Sequence, residues 1–173
     1  MATLQLTPLQ HTPGNQAELQ GIINAAPAYA WRATGQPPAS DEATELLTML
    51  PPGKGYHDKF VFGLYLGPQI IGCLDIVRAY PNATTAFLGL LLLAEEHHGQ
   101  GHGRAAYHLL ENFVGTQWPE IKTLRLAVLR ANEQVMPFWE KMGFRATGEV
   151  KPYQSGLIDS EVILIEKPLV PGT

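Results

Sequence analysis

His98-Gly99-Gln100-Gly101-His102-Gly103-Arg104 is the stretch on which the reading of this chain turns. Its three alternating glycines let the backbone bend and approach a ligand without Cβ atoms in the way. The apolar run Phe87-Leu88-Gly89-Leu90-Leu91-Leu92-Leu93 precedes it. Such a run predicts a central strand over residues 84–94, covered on both faces. Gly89 within it predicts a bulge or a close backbone approach. After the turn, Ala106, Leu109, Leu110 and Phe113 recur at the spacing of one helix face. The glycines therefore join a buried strand to a helix. Main-chain N–H groups beside a helix N-terminus make an anion site without basic side chains, and Arg104 adds a positive charge just inside the helix.

Working outward, residues 59–66 and 69–77 are rich in β-formers around Gly67-Pro68 and predict a hairpin. Residues 123–129 alternate as a strand. Residues 133–142 carry Val135, Phe138, Trp139 and Met142 on one helix face, with Gly143 at the C′ position and Pro137 predicting a kink or a late start. A last strand or pair is expected over 144–148 and 157–166, and a first short strand over 3–8. Residues 15–28 predict a helix, and a second follows Ser40 as N-cap, with Leu46, Leu47 and Leu50, until Pro51-Pro52. Residues 27–39 between them read as a mobile loop. The order gives an α+β fold with a parallel crossover in its second half, expected as a single domain over residues 1–173.

The anion can be narrowed. No Gly-Lys-Ser/Thr is present, which excludes a P-loop NTPase. Gly101-x-Gly103-x-x-Ala106 matches a dinucleotide fingerprint, but that motif belongs after the first strand of a βαβ unit, with an acidic residue ending the next strand. Here several strands precede it, and residues 123–129 lead into Arg130-Ala131-Asn132. An arginine there suits NADP better than NAD. His97, His98, His102 and His108 with Glu95 and Glu96 invite a metal reading, yet the interleaved glycines deny them a rigid helical face and H-E-x-x-H is absent, so no metal is expected.

His98-x-x-Gly101-x-Gly103 resembles the R/Q-x-x-G-x-G/A pattern of the GNAT superfamily of N-acetyltransferases. Asn132-x-x-Val135-x-x-Phe138-Trp139-Glu140-Lys141-Met142-Gly143-Phe144 is similar to that family's N-x-x-A-x-x-F-Y-E-K-x-G-F signature. The two blocks stand in the family's order, one helix and one strand apart, and the resemblance covers about residues 59–167.

The resemblance implies a GNAT-like fold: a mixed, mostly antiparallel central sheet, flanked by helices, whose central parallel strands splay apart. It implies acetyl-CoA as co-substrate. The main chain of Leu91 and Leu93 would pair with the pantetheine arm like an added strand. His98, Gly99, Gly101, His102, Gly103 and Arg104 would hold the pyrophosphate, with Asn132 near the arm and Phe138 against it. The reaction would be attack of an amine on the thioester, aided by a base. Residues 84–93 offer no carboxylate, so the candidates for catalysis are Asp75, which interrupts the apolar strand 69–77, and Tyr153 in a turn at 151–153. A solvent-facing strand position for Asp75 and a packed loop position for Tyr153 are the alternatives. Trp139 stands where the family commonly has a tyrosine proposed as general acid, and an indole N–H cannot protonate a thiolate usefully.

Composition bounds the rest. The 173 residues carry a formal charge of −4 and a pI near 5.8. That balance gives no electrostatic footprint for nucleic acid. The lone Cys73 lies in an apolar run and is expected as a small buried hydrophobe. The N-terminal stretch lacks a signal-peptide pattern, and the longest apolar run is too short to span a bilayer, so a cytoplasmic protein is expected. The acceptor is expected to be a small-molecule amine or a protein or peptide amine, shaped by residues 15–55. A homodimer is anticipated through an exposed strand edge at 157–166. A GNAT-like module that binds acyl-CoA without turnover is the competing reading.

Overall fold

The computed structural model describes residues 2–170. Seven strands form one sheet in the order β1-β2-β3-β4-β5-β7-β6. They are β1 (Leu4–Pro8), β2 (Lys59–Leu66), β3 (Gln69–Val77), β4 (Thr85–Leu93), β5 (Thr123–Leu129), β6 (Arg145–Ser155) and β7 (Ile158–Pro168). Only β4 and β5 run parallel; every other pair is antiparallel. The parallel step is made by the crossover helix α4 (His102–Gln117). The short helix α5 (Met136–Lys141) starts late, with Pro137 in its first turn, where a missing N–H costs nothing, and Gly143 follows it at φ +105°.

The expected hairpin, central strand, crossover and last helix are all present, but the N-terminal third differs. Helix α1 (Pro13–Asn24) ends before Ala26, and residues 27–34 are not a loop but a second helix, α2 (Pro27–Thr34). Pro27 explains both facts. Its ring disfavours helical backbone at the residue before it and presets φ for a helix that begins with it. Gly35, at φ +70°, closes α2 in the left-handed conformation. The helix after Ser40 is α3 (Glu42–Thr48), and its N-cap is Asp41 rather than Ser40. The carboxylate of Glu42 instead accepts the N–H of Ala39 at 2.9 Å. Strand β6 extends well past Gly148, so Lys151-Pro152-Tyr153 lies in a strand and not in a turn. The sheet's edge on this side is therefore β6; residues 158–166 lie in β7, between β5 and β6.

Two hydrophobic clusters lie on opposite faces of the sheet. One, beneath α4 and α5, gathers Tyr107, Leu110, Trp118, Trp139 and Phe144 against Leu74, Ile76, Leu124 and Ile165. The other, beneath α1 and α3, gathers Leu19, Ile22, Ile23, Ala43 and Leu47 against Val61 and Cys73. Strand β4 serves both. Its register against β3 jumps from Ile76↔Leu88 to Asp75↔Leu90, so Gly89 is the extra residue of a β-bulge. Before the bulge, Ala86 and Leu88 face the α4 cluster; after it, Leu91 and Leu93 face that cluster while Leu90 and Leu92 face the other.

Candidate active site

The site begins where the parallel pair ends. Pairing of β4 with β5 runs from Thr85↔Thr123 to Leu88↔Leu126 and stops, whereas β5 stays paired with β7 as far as Leu129↔Val162. The wedge left between Leu88–Leu91 and Leu126–Leu129 opens into a cleft of about 560 Å³ along the end of β4. The N–H of Ala94 donates to Ile71 of β3. Alternation along a strand then turns the main-chain groups of Leu91 and Leu93 the other way, toward the opening. The Leu93 carbonyl is in use: the His98 imidazole donates to it at 2.9 Å.

The far wall is the glycine turn. Gly99 (φ +72°) and Gly101 (φ +83°) hold left-handed backbone, which a side chain would strain. Gly101 is also the N-cap of α4, and no side chain caps that end. The first N–H groups of a 16-residue helix therefore face the cleft unsatisfied, with the positive end of its dipole. Gly103 differs from the other two. A Cβ there would sit 3.6 Å from the Phe138 ring, an ordinary contact, so the chain itself does not require glycine. Its bareness matters only to something lying in the cleft.

Nine of the ten residues expected to hold a cofactor line this cleft: Leu91, Leu93, His98, Gly99, Gly101, Gly103, Arg104, Asn132 and Phe138. The tenth, His102, packs edge-on against His97 with ring centroids 6.0 Å apart and is not part of the lining. Phe138 is braced by Trp139 at 4.9 Å. Trp139 itself is 8 % exposed and packed against Tyr107 and Phe144. The indole is thus a core aromatic whose edge reaches the cleft.

Asp75 is not solvent-facing: it is 8 % exposed, beside the bulge. A Cβ on Gly89 would fall 2.7 Å from its Oδ2, so the bare glycine gives that carboxylate its place. Lys59 Nζ lies 3.3 Å from Oδ1 and is itself buried. Burial pushes the Asp75 carboxyl above the usual carboxylate range, and the neighbouring Lys59 offsets only part of this. Burial likewise pushes the Cys73 thiol up to about 12, with Asp75 adding to the effect, so this cysteine is an inert core residue. Among the described residues no cluster of three His, Cys, Asp or Glu is arranged for a metal.

Tyr153 stands elsewhere. Its hydroxyl donates to the Ala33 carbonyl at 2.9 Å, and Leu157 N–H donates to Thr34 O at 2.7 Å, so β6 and the turn after it satisfy the last carbonyls of α2. At the other end of α2 the Glu95 carboxylate accepts Ala28 N–H at 2.8 Å. Glu95 is therefore engaged with the chain and lines the cleft while remaining exposed.

The helix so clamped carries the residue the sequence reading missed. Tyr29 lines the wedge, the cleft and a third cavity on the other side of β4. Burial, with smaller contributions from Tyr153, Cys73 and Glu42, pushes its hydroxyl up to about 12, so it stays neutral at physiological pH. The signal was available: Pro27 and Gly35 bracket Ala30 and Ala33 at helical spacing.

Comparison with known proteins bears on this geometry. The family model of the GNAT acetyltransferases matches residues 26–144, well over half of the chain. The chain belongs to the GNAT family. Among solved structures, this GNAT protein is similar to an acetyltransferase from Thermus thermophilus, with 28% identity over 98% of this chain and 100% of that one, TM-score 0.75. It shares its fold with a spermidine N-acetyltransferase from Vibrio cholerae, solved with CoA and spermine, at 17% identity, 97% and 96% coverage and TM-score 0.73. The ribosomal-protein-S18-alanine N-acetyltransferase of Escherichia coli has the same fold at 16% identity, 99% and 97% coverage and TM-score 0.71. No curated protein matches the sequence. No helix among the described residues is long and apolar enough to cross a membrane.

Proposed function

We propose that this protein transfers an acetyl group from acetyl-CoA to a primary amine. The observation that carries the reading is the parting of β4 from β5 past Leu88 and Leu126, directly beside the uncapped N-terminus of α4. The residues present fit the cofactor: the turned main chain of Leu91 offers a strand edge to an amide-bearing arm, and the bare Gly103 leaves room at the anion site. Bound acetyl-CoA supplies an activated acyl thioester. Asp75 then receives a proton from the acceptor ammonium, and its raised pKa makes it the better proton acceptor. A main-chain N–H of β4 at the bulge meets the charge that develops on the carbonyl oxygen. The new C–N bond would form as the C–S bond breaks, and Tyr29, a neutral phenol lining the adjoining cavities, would take the second proton of the attacking nitrogen as it gives its own to the departing sulfur, so that the phenol ends as it began, where Trp139 cannot serve. Tyr153 acts from a distance, by fixing α2 and with it Tyr29. We further propose that residues 1–173 act as one domain.

Calorimetric titration with acetyl-CoA and CoA, followed by a thiol-release assay across a panel of amines, tests the reading. Binding in the micromolar range and steady release with at least one amine are expected. No binding at high micromolar cofactor overturns it. Binding without release from any amine returns the protein to a binding-only role.

A further inference from the structure

Across β4 from the cofactor cleft lies a cavity of about 220 Å³, roofed by α2 and α3 and floored by the sheet. Tyr29 lines both spaces, as do Ala26 and Leu92, so the two adjoin along the start of α2 and the end of β4, while Leu90, next to the bulge, lines this cavity and the wedge. The charges in its wall are uneven: Glu42, Glu45 and Asp75 face it against the single cation Lys59. Lys59 is committed to Asp75 at 3.3 Å, and the Oδ1 facing it still makes no directed hydrogen bond. Glu42 uses one oxygen on Ala39 N–H. Neither Glu42 nor Glu45 has an ion-pair partner among the described residues. Between the buried Asp75 and these two glutamates the wall is apolar, supplied by Leu46, Met49 and Leu90.

We propose that this cavity is the acceptor site and that it selects a small primary amine bearing a second cationic group on a short apolar spacer, as in an alkyl diamine. The reacting end lies at Asp75 and the bulge, the methylenes lie against Leu46, Met49 and Leu90, and the distal ammonium is held by Glu42 and Glu45. A monoamine of the same length leaves the two glutamates without a partner; a diamine gives them one. The inference rests on the acetyl-transfer reading above for its chemistry, while the recognition itself is a matter of binding.

The test compares 1,4-diaminobutane with butylamine at saturating acetyl-CoA, reading thiol release. A diamine preference in kcat/KM of about tenfold is expected, beyond the statistical factor of its two ends, which is the scale of one hydrogen-bonded charge contact. Glu45→Gln, alone and with Glu42→Gln, lowers that preference by about the same factor, and added salt lowers it as well. Glutamine keeps the acceptor oxygen for Ala39 N–H, so the helix start survives the change. A wild-type preference near one, or a preference untouched by both substitutions, overturns the proposal. If no amine releases thiol, the acetyl-transfer reading has failed instead. The cavity is then judged by calorimetry of 1,4-diaminobutane with CoA present: binding that weakens about tenfold in the double variant sustains the proposal, and absence of binding to the wild type overturns it.

Discussion

The two faces of the sheet are built differently. Beneath α4 and α5 the rings of Tyr107, Phe138, Trp139 and Phe144 meet edge to face at 4.9–5.9 Å, under one helix of 16 residues. Beneath α1, α2 and α3 the covering is three helices of 12, 8 and 7 residues, with Ala26, Ala43, Cys73 and Ala94 among the buried side chains. Large interlocking rings close the space between themselves, whereas small side chains under short helices leave a cavity within the layer. The contrast matches what each face is proposed to hold. The closely packed face fixes the turn proposed to hold the cofactor; the looser one borders the proposed acceptor site.

Substitution can break that contrast. The largest effect is expected on the aromatic face: Phe144→Ala should cost about 3–5 kcal/mol in urea unfolding, because its neighbours cannot close over the space. Leu46→Ala, at the half-buried cavity wall, should cost less than about 2 kcal/mol. Equal losses would show the two faces to be equally packed. Next in size is the bulge. Asp75→Asn should lower kcat by about a hundredfold with the affinity for acetyl-CoA retained, the scale of a lost general base. Since Asp75 serves when ionised and its pKa is raised, the acid limb of kcat against pH should lie above the ordinary carboxylate range in the wild type and vanish in the variant. Gly89→Ala, whose methyl would displace the carboxylate, should act in the same direction.

The smallest effects sharpen the comparison within the glycine turn. Gly101→Ala should cost about 1–2 kcal/mol of stability through its left-handed backbone. Gly103→Ala should cost none, since the helix gains a better former, yet should weaken CoA binding, read by calorimetry. A Gly103→Ala variant that binds CoA as well as the wild type would leave the cradle without support.

The sequence made the α4 face legible because its signals are local. The apolar run of β4, the glycines beside it and the repeat of α4 each sit within one turn or strand, and Gly89 announced its own bulge. Legibility failed where the deciding contacts are long-range. Nothing near Pro27 shows that Glu95 will satisfy the start of α2, or that Tyr153 and Leu157 will satisfy its end, so its punctuation read as a loop. Tyr29 was lost with it. Asp75 was found by its odd company in an apolar strand, but its burial depends on Lys59 from β2 and on the missing side chain of Gly89 in β4.

The bulge also constrains how this chain can change over generations. In an uninterrupted strand, residues of one parity share a face from end to end. Gly89 exchanges the parities midway, which is why Leu90 and Leu92 belong to the looser face although Ala86 and Leu88 belong to the other. Deleting that one codon would leave Leu90, Leu91, Leu92 and Leu93 on their present faces and make the strand regular, so the packing would survive and only the bulge beside Asp75 would be lost. Leucine can give way to valine or isoleucine along β4 at modest cost. The two faces of this strand therefore tolerate a change of side chain and even the loss of the extra residue, whereas the bulge beside Asp75 lasts only while that residue is kept.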